Sequence, residues 1–188
     1  MRQDRSGPPS SIHAITGKAT LSDEALLIAA YRATQYNGNT RRRTTFDELT
    51  STGEIRLIRE HALRDLAMRV YTSTMFDDIV EEGQNSSYRR WFRLNIPHDV
   101  QQAVEKACGD RIVLPGDYAG IGNSIDYACS IDLSEEAITT AAAQVRSDAE
   151  AASLLRLRVA DVETNLFNLT VYDRNLRDKL RAFAKTAP

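Results

Sequence analysis

From Ile138 to Leu169 the apolar residues Ile138, Ala142, Val145, Ala149, Leu154 or Leu155, Val159, Val162, Leu166 and Leu169 recur at helical spacing. That stripe is too long for an ordinary strand, and it needs partner helices to cover it. Ser134-Glu135-Glu136 precedes it with a hydroxyl cap and two carboxylates on the positive end of the helix dipole. A chain of 188 residues built around such a helix has room for one domain. Its 42% hydrophobic and 27% charged residues describe a globular protein rather than a disordered one.

Shorter helical stretches precede the long one. Ser22-Asp23-Glu24 starts a helix carrying Leu26, Ala29, Ala30 and Ala33, and Asn37-Gly38-Asn39 stops it. A second helix is expected from about Thr45 or Gly53 to about Thr72, with Ile55, Ile58, Ala62, Leu66 and Val70 on one stripe, and Phe76–Val80 adds a further turn. Trp91-Phe92-Arg93-Leu94 reads as a short strand. Pro97-His98-Asp99 opens a third helix that Gly109 ends. Residues 109–133 contain four of the nine glycines and read as a long loop. Val171-Tyr172-Asp173 reads as a break, followed by a short helix over Asn175–Ala184. The expected fold is all-α: an antiparallel four-helix bundle over residues 21–184, with a short strand segment and a long loop before the last long helix. Residues 1–20 form an unpacked arm and 185–188 a tail.

Several chemistries lack their residues. The longest apolar runs are too short to cross a bilayer, and MRQDRSGPPSS at the N-terminus is not a secretory leader, so an intracellular protein is expected. Gly116-Asp117-Tyr118-Ala119-Gly120-Ile121-Gly122 lacks the strand and the Lys-Ser/Thr of a phosphate loop. Tyr71-Thr72-Ser73-Thr74 with Glu81-Glu82 is a fragment of an ADP-ribosyl transferase pattern, but that fold is rich in strands. His13, His61 and His98 stand apart from any partner at ligand spacing, so no metal site and no cofactor is expected. Cys108 and Cys129 make no disulfide framework and read as small buried apolar residues. The expectation is a protein that is not an enzyme and takes no small-molecule substrate.

The basic residues are unusual in kind. Twenty of the 24 are arginine, whose planar fork grips phosphate with two bonds. Arg41, Arg42 and Arg43 follow the first helix, and Arg111 follows the third. In an antiparallel bundle helices one and three run the same way, so these arginines should share one end, which is a phosphate-binding signal. An isolated arginine run also suits a solvated turn. Tyr88, Trp91 and Phe92, interleaved with Arg89, Arg90 and Arg93, are expected at the opposite end.

The segment Asp161-Val162-Glu163 through Leu169, then Val171-Tyr172-Asp173-Arg174-Asn175-Leu176-Arg177-Asp178-Lys179-Leu180, resembles the end pattern of the coat proteins of rod-shaped RNA viruses, the tobamovirus and hordeivirus group. Trp91-Phe92-Arg93-Leu94 is similar to that family's strand before helix three, and Gly109-Asp110-Arg111 to its Asp-Arg stretch after it. The order of elements over residues 22–182 is similar as well. Leu176 stands where the family commonly has phenylalanine, helix two is longer, and the N-terminal arm is unusual.

The resemblance implies a structural protein that assembles helically with itself around single-stranded RNA, in the virion and the host cytoplasm, with no membrane role. It implies phosphate contacts from Arg41, Arg42, Arg43 and Arg111, with Arg146 in the first turns of the long helix as a further candidate. It also implies assembly carboxylates that face each other across subunits: Asp77, Asp78, Glu81 and Glu82 after helix two, and Asp99 at the start of helix three. A net charge of −5 over residues 112–156 would suit a channel loop. The alternative is a helical interaction or virion adaptor protein with no nucleic-acid role.

Overall fold

A computed structural model describes residues 21–36, 43–111 and 127–186. Among them every regular element is a helix, so the chain is all-α. The chain divides into two compact units, Met1–Tyr36 with Gly83–Ala160 and Asn37–Glu82 with Asp161–Pro188. The expected N-terminal arm and the glycine cluster at 116–122 lie outside the described residues, as do Arg41, Arg42 and most of the 109–133 loop.

The first unit holds α1 (Asp23–Arg32), α5 (Ser87–Asn95), α6 (His98–Cys108), α7 (Glu135–Ser147) and the opening turns of α8 (Ala149–Thr186). Its start signals act as the sequence predicts. Ser22 Oγ accepts from the Ala25 N–H and Ser134 Oγ from the Ala137 N–H, each at 3.3 Å. Pro97 caps α6, and Gly109 ends it. The core gathers Leu26, Leu27 and Ala30 of α1, Tyr88, Trp91 and Phe92 of α5, Val100 and Val104 of α6, and Ala141, Ala142 and Val145 of α7. Small residues on α7 let α1 pack closely along it.

The expected strand is not present among the described residues. Trp91–Leu94 lies inside α5. Tyr88, Trp91 and Phe92 stand at i, i+3 and i+4, which puts all three on one helical face, and all three are buried. Arg89, Arg90 and Arg93 take the remaining positions. The four-residue run looked strand-like only because Tyr88 was left out of the period.

Two further boundaries differ. The long helix is interrupted at Asp148, whose backbone turns extended between α7 and α8. Beyond that point α8 continues through Val171-Tyr172-Asp173, where a break was expected, to Thr186. The two cysteines are also joined: Cys108 and Cys129 form a disulfide with Cα atoms 5.5 Å apart.

The second unit holds α2 (Thr44–Ser51), a short 3-10 turn (Glu54–Leu57), α3 (His61–Thr72), most of α4 (Met75–Gln84) and α8 from Asp161. The single helix expected up to Thr72 is two helices. Gly53 sits at φ +75°, a conformation that ends α2 and that a side chain would resist. Phe46 stacks on Tyr71 with centroids 4.6 Å apart. Among this unit's described residues only Phe46 and Leu66 are buried apolar residues, whereas Leu57, Met68, Val162, Leu166, Phe167 and Val171 are exposed.

Candidate functional site

The C-terminal end of α1 collects arginines. A helix end leaves carbonyl oxygens without partners and carries the negative pole of the dipole, so cations gather there. Arg89 of α5 donates to the Thr34 carbonyl at 3.0 Å, and Arg158 of α8 donates to the Gln35 carbonyl at 3.2 Å. Arg32, in the last turn of α1, donates to the Tyr127 carbonyl at 2.7 Å and lies 3.6 Å from Cys129 Sγ. The Arg32 Nε–H is buried and finds no hydrogen-bond partner among the described residues.

Tyr127 connects this end of α1 to the end of α6. Its hydroxyl donates to the Gly109 carbonyl at 2.5 Å. Its ring lies under the Arg111 guanidinium, 3.5 Å from carbon to centroid, and 5.2 Å from that of Arg32. Arg89 lies 4.9 Å from the Tyr36 ring centroid. Tyr127 thus links the C-terminal ends of α1 and α6, and guanidinium groups lie near both the Tyr127 and the Tyr36 rings.

Acidic residues temper the cluster. Burial raises the Asp110 carboxyl above the ordinary range, an effect the nearby Arg32 opposes. The Tyr31 hydroxyl is pushed up to about 12, by burial first and then by Glu105 and Asp110. Arg89 is lowered, by burial first and then by Arg93. Both effects disfavour the charged form of the guanidinium.

The sequence-predicted residues fall in separate places. Arg111 belongs to this cluster. Arg146 does not: it stands in the last turn of α7, not in the first turns of the long helix, because α7 stops at Asp148. There it pairs with Asp23 at 2.5 Å and donates to the Leu21 carbonyl at 3.1 Å. Asp23 opens α1 and Arg32 closes it, so Arg146 serves the far end of that helix. Arg43 belongs to the second unit, where it caps α2 and pairs with Asp47 at 3.3 Å. Arg41 and Arg42 lie outside the described residues.

Arg89 is not at the opposite end of the first unit from Arg111, as was expected; α5 is a helix whose Tyr88 donates to the Ala30 carbonyl at 3.3 Å and whose Arg89 donates to the Thr34 carbonyl. Arg32, Arg89 and Arg158 were missed by sequence reasoning. Their only sequence signal is the excess of arginine over lysine.

The carboxylates expected to govern assembly are divided between the units. Asp77 and Asp78 occupy the first turn of α4, where the helix dipole favours them, and Thr74 Oγ1 donates to Asp78 at 2.9 Å. Glu81 follows on α4, and Glu82 accepts from Asn165 Nδ2 through both oxygens, at 3.1 and 3.0 Å. Asp99 lies in the first turn of α6, in the other unit.

Among the described residues no group of three His, Cys, Asp or Glu side chains gathers to hold a metal ion, and no helix is long and apolar enough to cross a membrane. No family model, curated protein or solved structure matches the chain.

Proposed function

We propose that the protein is structural rather than catalytic, a coat-type protein whose copies assemble helically around single-stranded RNA. The observation that carries this reading is the pairing of arginine with tyrosine at the end of α1, Arg32 and Arg111 on Tyr127 and Arg89 on Tyr36. Guanidinium groups grip phosphates, and aromatic faces stack bases without regard to sequence. In this reading the helices of the first unit act as an antiparallel bundle, and Arg41, Arg42, Arg43 and Arg111 each contact RNA phosphates. The exposed apolar residues of the second unit support association with further copies. The protein would work in the virion and the host cytoplasm, without cofactor or membrane.

One observation favours a second reading, a helical adaptor that binds protein and no nucleic acid. Arg89 and Arg158 already donate to the carbonyls just past the end of α1, and Arg32 to the Tyr127 carbonyl, so all three already serve the fold.

Negative-stain microscopy of nuclease-treated protein, at mildly acid pH with and without added single-stranded RNA, separates the two. Rods, discs or filaments that lengthen with RNA support the coat reading. Particles that ignore RNA support the adaptor.

A further inference from the structure

The C-terminal half of α8 carries an apolar period in its sequence. Val162, Leu166, Leu169, Leu176, Leu180 and Phe183 follow one another at intervals of four, three, seven, four and three, and Asp173 occupies the place that divides the seven. That is a heptad repeat with one acidic residue in its seam, the spacing by which two helices coil around each other. The backbone is helical throughout, to Thr186. Val162 is 45% exposed and Leu166 62% exposed, in a unit that otherwise buries little.

We propose that residues 162–183 of α8 pair antiparallel with the same segment of a second copy of this chain. Charge fixes the direction. Residues 161–171 carry Asp161 and Glu163 and no base, whereas residues 172–186 carry five bases and two acids, a net of +3. Opposed chains lay the acidic half of each helix on the basic half of the other. In the register that sets position 162 against 180 and 166 against 176, Glu163 flanks Arg177 of the second copy. Asp173 then meets Leu169. A parallel pair in register would instead press Asp173 against Asp173 in the seam, where two carboxylates cannot both ionise cheaply. A polar residue in a seam lowers stability but selects orientation and register. The contact is isologous and closes as a two-fold dimer, so it stands without RNA and without the coat reading.

The test uses nuclease-treated full-length protein. The parent should sediment at twice its 21.0 kDa chain mass. Leu166→Glu, at an exposed position, should return it to the single-chain mass while circular dichroism stays helical. Orientation is read by oxidation. The double variant Val162→Cys with Leu180→Cys should cross-link into a dimer, and Val162→Cys alone should not, because the two copies of position 162 would lie roughly 27 Å apart at 1.5 Å per residue. A monomeric parent, or a dimer unmoved by Leu166→Glu, overturns the proposal. Cross-linking of the Val162→Cys single variant overturns the antiparallel arrangement. RNA binding is measured separately, so a dimer that binds no RNA keeps this inference and removes the coat reading.

Discussion

Trp91 Nε1–H donates to Asp148 Oδ2 at 3.0 Å, while Oδ1 of the same carboxylate accepts from the Glu150 and Ala151 N–H groups at 2.8 and 3.1 Å. One side chain therefore caps α8 and holds the buried indole of α5. The Ala151 N–H, foremost, and the Trp91 N–H keep the Asp148 carboxyl below its ordinary value. Its folded-state pKa is depressed, so its contribution is complete above about pH 4, the unfolded value, and is lost as pH falls through the folded value. Asp23, held low by Arg146, acts in the same sense. Asp148→Ala should lower the melting temperature at neutral pH, and the deficit should shrink in acid. Trp91 is the sole tryptophan, so its fluorescence reports this unit directly. A deficit that is the same at every pH would show that the carboxylate charge plays no part.

The disulfide closes a segment of 21 residues. On the chain-entropy account a loop of that length contributes about 3 kcal/mol by restricting the unfolded chain. Reduction, or Cys108→Ala with Cys129→Ala, should lower the urea midpoint of the Trp91 transition by a corresponding amount. Native protein should take up no thiol reagent until it is reduced. Two free thiols in the folded protein would contradict the linkage.

Gly83 is buried where the end of α4 meets Tyr36, and a Cβ added there would stand 2.6 Å from Tyr36 Cβ, the base of that side chain rather than its movable tip. Gly83→Ala should cost about 1–3 kcal/mol, the usual range for overpacking a core. It should also loosen Arg158, whose guanidinium is the next neighbour. Equilibrium urea unfolding measures the cost. A neutral substitution would mean the contact relaxes freely.

The sequence carried the local signals well and the tertiary ones poorly. Ser22, Ser134, Pro97 and Gly109 act within one turn of themselves, so the start of α1, both limits of α6 and the start of α7 could be read directly, whereas α1 ends at Arg32, short of the expected stop at Asn37-Gly38-Asn39. The stop at Asp148 could not, because its cap includes Trp91, 57 residues away. The anchor at Tyr127, the disulfide and the bond from the Ile131 N–H to Glu24 at 2.6 Å all tie the end of the supposed loop into the first unit. None of these has a local pattern. For the candidate site, Arg111 was legible from its position after a helix that glycine ends. Arg32, Arg89 and Arg158 were not, since only the folded chain brings them to one helix end.

The central claim is that arginines of this chain meet RNA phosphates. The most direct measurement is the salt dependence of single-stranded RNA binding, followed by fluorescence anisotropy for the parent, for Arg111→Ala, and for Arg41, Arg42 and Arg43 changed together to alanine. Arg111 is exposed and stacks on Tyr127, so its removal should leave the helical content unchanged. For the parent, the logarithm of the binding constant should fall linearly with the logarithm of salt concentration. The slope should lessen by about 0.7 for each phosphate contact removed. A parent that binds no RNA at low salt, or variants whose slopes match the parent's, would contradict the account.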